Sequence, residues 1–205
     1  ALDLVAHLYE TNPPFASNCH NYVHKVGEVA YERFSRGESF EINPKASYCG
    51  YGFYHGFMES LLHESGDVAE ARKLCEGAVE MVKGGAAAQI EPACYHGFGH
   101  GAVDDTVLQN ANSAVAVVTP GIALCRQVAD TDTRLYLCVS GVFNSLAIAW
   151  NAGSYPKITV NESYPYELCD SFPEGYVKKA CFHQLNTVVA KLAKNDLQSA
   201  VRMVE

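Results

Sequence analysis

The sequence predicts an all-α fold: an array of about five two-helix hairpins with a period of about 44 residues, braced by disulfides and curved into a solenoid or an α/α toroid. Three observations carry that expectation. Cys49, Cys94, Cys138 and Cys181 follow one another at intervals of 45, 44 and 43 residues, which gives the chain a register. The phrase Tyr-His-Gly-Phe occurs twice, at 54–57 and 95–98, in step with that register. Strand-like alternation is almost absent, the clearest β-branched run being Ile158-Thr159-Val160 in a connection rich in Pro and Tyr. The expected organisation is a single helical-repeat domain over residues 1–205.

Taken in order, the opening unit runs from Cys19 to Cys49 and carries His20 and His24 on an inner helix. The next inner helix follows Cys49 and holds His55 and Glu59. Residues 66–75 read as an outer helix, because Val68, Ala71, Leu74 and Cys75 recur at helical spacing. Gly84-Gly85 marks a loop ahead of the inner helix with Cys94, His96 and His100. The segments around Cys125 and Cys138, and around Cys169 and Cys181, show the hairpin best: one helix ends near the first cysteine and another opens near the second. Residues 151–154 form a further loop, and Asn195 or Asp196 caps the last helix.

Eight cysteines, with no Cys-x-x-Cys among them, point to disulfides and away from zinc ribbons, redox dithiols and c-type haem attachment. The repeat selects sequential pairs: Cys19 with Cys49, Cys75 with Cys94, Cys125 with Cys138, and Cys169 with Cys181. Disulfides place the protein in an oxidising compartment, meaning periplasm, cell surface or secretion. The row starts at Ala1, so a signal peptide is expected to have been removed or to lie outside it. With 15 basic against 23 acidic residues the net charge is −8, and adjacent basic pairs are confined to Arg72-Lys73 and Lys178-Lys179. Nucleic acid is therefore not an expected partner, since phosphate binding needs clustered cations. No apolar run approaches the roughly 18 residues that span a bilayer, so no transmembrane segment is expected.

The histidines carry the chemistry. His20 and His24, His55 and Glu59, and His96 and His100 are each four residues apart, so each pair stacks on one helix face as a two-ligand jaw. Aligned on the register, the first column holds His55, His96, Ser140 and His183, and the second Glu59, His100, Asn144 and Thr187. The glycine after each motif histidine leaves room for a neighbouring helix or a ligand to approach closely. Tyr22, Tyr48, Tyr51, Phe53, Tyr54, Phe57, Tyr95 and Phe98 are expected to wall a concave cavity. With the thiols tied up, the available ligands are imidazole and carboxylate, which suit a transition metal such as zinc, iron or copper. Three methionines are too few for cuprous handling through thioethers.

The expected ligands are His20, His24, His55, His96 and His100, with Glu59 as a sixth ligand or general base. Asp104, Asp105, Asn144 and His183 are candidates for an outer shell, while His7, His63 and His183 read most simply as hydrogen-bonded core histidines. The hairpin plan resembles the two-helix repeat superfamilies, and metal pairs on concave helices are similar to those of a di-iron HEAT-repeat hydroxylase. The adjacent His-Glu dyads of that enzyme are matched here by His63-Glu64 alone, so no residue or activity carries over. Three readings follow: a metalloenzyme acting on a small molecule, hydrolytic or oxidative; a non-catalytic module for metal binding, storage or protein interaction; or a structural repeat protein whose histidines are satisfied by hydrogen bonds.

Overall fold

The computed structural model describes residues 1–38, 44–81, 87–103, 105–153 and 158–204. Among them the protein is all helical, with twelve α-helices and one 3-10 turn. The helices are α1 (Leu2–Thr11), α2 (Pro13–Ala16), α3 (His20–Ser35), α4 (Gly52–Ser65), α5 (Val68–Met81), α6 (Ala87–Gly101) and α7 (Asp105–Asn110). They continue with α8 (Ala114–Val128), α9 (Asp132–Ala152), α10 (Glu167–Asp170), α11 (Tyr176–Leu192) and α12 (Leu197–Arg202). Ile158, Thr159 and Val160, the most strand-like residues of the sequence, are irregular; the Ile158 carbonyl accepts a hydrogen bond from Trp150 Nε1 at 2.7 Å.

The chain divides into two compact units, Ala1–Gly101 and Ala102–Glu205. In the first, α4 packs between α3 and α6, and α5 packs on α6. Being covered on two sides, α4 buries every residue from Gly52 to Met58, which is why its sequence is apolar nearly all round. Gly66, with a φ of 63°, ends α4 in the left-handed conformation that glycine adopts without Cβ strain. One residue later the Asp67 carboxylate accepts from the Glu70 amide at 2.9 Å and starts α5. In the second unit α9 packs against α8 and α11 around Val117, Val118, Val139, Phe143, Leu146 and Leu185. Asp196 caps α12 through the Ser199 amide, as its position predicts.

All four sequential cysteine pairs stand at disulfide geometry, with Cα separations of 5.4 to 5.6 Å. Their placement on the hairpins varies. Cys125 and Cys169 lie near helix ends as expected, whereas Cys75 and Cys94 sit well inside α5 and α6 and clamp two packed helices broadside. Replacing Cys125 and Cys138 together by alanine opens a short loop, for which the chain-entropy cost is about 3 kcal/mol. The expected result is a Tm lower by roughly 10–20 °C, read by calorimetry; an unchanged Tm would mean the bond adds nothing to the native state.

By length and a mean hydropathy of 1.3, α9 is able to cross a membrane. Half of that apolar stretch is buried within the unit, and Cys138 bonds α9 to α8.

Candidate metal centre

Three helices of the first unit bring five histidines together. His20 and His24 occupy the first two turns of α3, His55 and Glu59 the second and third turns of α4, and His96 and His100 the last two turns of α6. Glycines allow the approach. A Cβ at Gly56 would overlap the His24 carbonyl oxygen and lie 2.7 Å from its carbon, so α3 and α4 touch backbone to backbone there. On the other side of α4, a Cβ at Gly97 would lie 2.9 Å from the Tyr54 carbonyl oxygen, and one at Gly101 2.9 Å from Glu59 Cα. The glycine after each motif histidine thus has the role its position suggested. Gly27 and Gly52 also pack α3 on α4 and were not singled out in the sequence; the four-residue interval from Gly52 to Gly56 is the signal that would have found one of them.

The histidines fall into two groups of three with His55 common to both: His20, His24 and His55, and His55, His96 and His100. Within each group one donor atom per ring lies within 4.8 Å of the others. The first group is defined atom by atom. His20 Nδ1 donates to the Cys49 carbonyl at 2.8 Å, because a carbonyl oxygen can only accept. That fixes the tautomer and leaves a lone pair on His20 Nε2, which faces His24 Nε2 at 3.1 Å and His55 Nδ1 at 3.3 Å. Two nitrogens of a tetrahedral zinc site with ordinary bond lengths stand roughly 3.3–3.4 Å apart. His24 turns its other nitrogen, Nδ1, to Glu59 Oε2 at 3.4 Å, and Glu59 Oε1 lies 3.8 Å from His100 Nδ1. Were His24 to carry its proton on the carboxylate side, both Nε2 atoms would turn lone pairs toward each other, and a metal ion between them would use both. The donor set therefore fits a metal ion, with the Cys49 carbonyl and Glu59 in the outer positions that orient ligating imidazoles.

The loop ahead of α4 bears strain at this point. Cys49, Gly50 and Tyr51 have φ values of 59°, 63° and 65°, and for the two non-glycine residues this conformation costs roughly 1–2 kcal/mol each. The bond from Cys19 to Cys49 holds that loop beside the start of α3 and keeps the Cys49 carbonyl on His20. This carbonyl is a site group that sequence reasoning missed, since a backbone acceptor leaves no mark in residue type.

Burial is the main electrostatic fact of the centre. His55 is 5% exposed and His100 4%. Desolvation, and then the neighbouring His100, His96, His20 and His24, hold the His55 imidazole well below its ordinary pKa. His20 is also lowered, mainly by burial, against the opposing pull of the Cys49 carbonyl and Glu59. The unfolded chain takes up these protons near pH 6.5, while the folded protein resists them to a lower pH. Stability of the metal-free protein is therefore full above about pH 6.5 and falls as the pH drops toward the folded-state values. The expected observation is a falling Tm from pH 7 to 5 in chelator-treated protein, with a shallower slope in His55→Gln; equal slopes in the two proteins would refute it.

The other expected site residues fall outside the first unit. Asn144 and His183 belong to the second unit, where Asn144 donates to Gln184 Oε1 at 3.0 Å and His183 Nδ1 pairs with the Tyr136 hydroxyl at 2.8 Å. Asp104 lies outside the described residues, as does the side chain of Asp105, which opens α7. His7, His63 and His183 are exposed and are not core histidines. Of the expected aromatic wall, Phe53, Tyr54, Phe57, Tyr95 and Phe98 are buried, but Tyr22 is 65% exposed and stacks on Phe15. The reason is helical phase: Tyr22 is two residues from both His20 and His24 and so faces away from them. The Tyr54 hydroxyl is buried without a hydrogen-bond partner among the described residues, and burial pushes its pKa well up.

Comparison with known proteins adds no identity: no family model, no curated protein and no solved structure matches the chain.

Proposed function

We propose that the protein is an extracytoplasmic metalloprotein in which His20, His24, His55, His96 and His100 bind a transition metal in a helical-hairpin scaffold stapled by disulfides. The observation that carries this reading is the convergence of His20 Nε2, His24 Nε2 and His55 Nδ1 within 3.1 to 3.3 Å along the two contacts from His20, with the His20 tautomer fixed by the Cys49 carbonyl. Nitrogen ligands of this kind suit zinc, iron and copper. Four disulfides support an oxidising compartment. The recurring cysteine pairs and glycine-packed inner helices support a repeat array as the scaffold.

As an enzyme it would use the metal as a Lewis acid toward water or as a centre for oxygen chemistry on a small molecule. In that reading Glu59, a quarter exposed between His24 and His100, accepts the proton. A second reading rests on the burial of His55 and His100: a catalytic metal keeps an open position, and a deeply enclosed imidazole set is equally suited to binding or storage.

Elemental analysis of the oxidised protein, purified without a metal-affinity tag, tests the reading. A transition metal in stoichiometric amount is expected, removable by chelator and restored by zinc, iron or copper. Absence of metal both as purified and after reconstitution with each of the three would overturn it. Hydrolytic and oxidative assays of the loaded protein then separate enzyme from store.

A further inference from the structure

The cluster holds more imidazoles than one ion uses. Zinc in a protein site normally takes four ligands, and five histidines with a carboxylate exceed that. The geometry divides them into two groups that have one residue in common. His55 Nδ1 faces the first group, 3.3 Å from His20 Nε2. On the same ring, His100 stacks with centroids 4.6 Å apart, and His96 lies at 5.1 Å. An imidazole has two nitrogens on opposite sides of the ring, so His55 is able to serve both groups at once, Nδ1 to one and Nε2 to the other. Glu59 repeats the pattern one turn further along α4: Oε2 lies 3.4 Å from His24 Nδ1 in the first group and Oε1 3.8 Å from His100 Nδ1 in the second. One residue of α4 thus belongs to both groups, and another lies between a histidine of each.

We propose that the centre takes two divalent ions, one on each three-histidine group, with the His55 imidazole shared between them as a deprotonated bridge and Glu59 as the positioning carboxylate for both. This rests on the reading of the cluster as a metal centre. The bridge forms when His55 gives up its remaining ring proton to solvent as the second ion binds, so no oxidant or reductant is needed. Each ion receives three nitrogens, because His55 contributes one to each. The fourth position of each ion is then left to solvent or to an exogenous ligand, as in metal sites that carry chemistry.

The test uses cupric ion and the metal-free, disulfide-intact full chain, followed by electron paramagnetic resonance. Binding should saturate at about two equivalents per chain. The integrated signal should rise to about one equivalent and then fall, because an imidazolate bridge couples the two unpaired electrons. His20→Ala and His96→Ala each remove a half-buried ligand from one group only, and each should bind about one equivalent with a full, uncoupled signal. Far-UV circular dichroism and thiol titration confirm that these variants keep the fold and the disulfides. Saturation at about one equivalent in the unaltered protein would overturn the two-ion proposal while leaving the metal centre standing. Two equivalents with additive signals would overturn the shared His55. No binding at all would overturn both the proposal and the reading beneath it.

Discussion

Gly56→Val is expected to prevent the first unit from assembling. The first atom of any side chain at this position overlaps the His24 carbonyl oxygen and comes within 2.8 Å of the His24 Cα, so it meets backbone that no rotamer change can move. Separating α3 from α4 would also uncover Val23, Phe53 and Phe57, all nearly fully buried. Overpacking a core typically costs about 1–3 kcal/mol, and a clash between two helix backbones belongs at or above the top of that range. The native state of a domain is worth only about 5–15 kcal/mol, so the variant should be recovered in low yield or lose roughly 10 °C or more of Tm. Gly66→Ala is the control. Its Cβ meets nothing within 4 Å, and only the left-handed φ penalises it, by about 1–2 kcal/mol. Equal losses in the two variants would show that the glycine contact between α3 and α4 is not what sets the helix spacing.

His55→Ala should abolish stoichiometric metal binding while leaving the helical spectrum in place. His55 belongs to both three-histidine groups, so its loss removes a donor from each, whereas any other single histidine leaves one group whole. Losing an outer-shell partner of a metal ligand costs roughly 10–100-fold in affinity, and losing a ligand common to both groups should cost more. The fold is expected to survive in the metal-free state, because apolar packing of α3, α4 and α6 and two disulfides hold this unit together. Competitive titration with a zinc-sensitive dye reads the affinity, and circular dichroism reads the fold. Wild-type affinity in this variant would show that the metal is held elsewhere in the chain. Loss of helix in the metal-free variant would show that the ring contributes to packing before it contributes to binding.

Much of this site is local in the sequence, and that part was legible. His20 with His24, His55 with Glu59, and His96 with His100 are pairs one helical turn apart, and helix geometry alone stacks them. Tyr22 shows the limit of the same reasoning: its nearness in sequence to the histidines suggested a place in the cavity wall, but its helical phase turns it outward. Asn144 and His183 share the register of the motif histidines, yet their described partners are Gln184 and Tyr136 within the second unit.

By itself the sequence determined the helical class, the four cysteine pairs and the three jaws, because each is a matter of spacing along one chain or of periodic recurrence. Tertiary structure alone decided that the jaws of α3, α4 and α6 close on one another, that His55 stands in both groups, that the Cys49 carbonyl orients His20 and that Glu59 lies between His24 and His100. The physical reason is that these relations depend on how closely helices pack. That distance is set where Gly56 and Gly97 leave backbone facing backbone, a contact between residues more than 30 positions apart that no local pattern encodes.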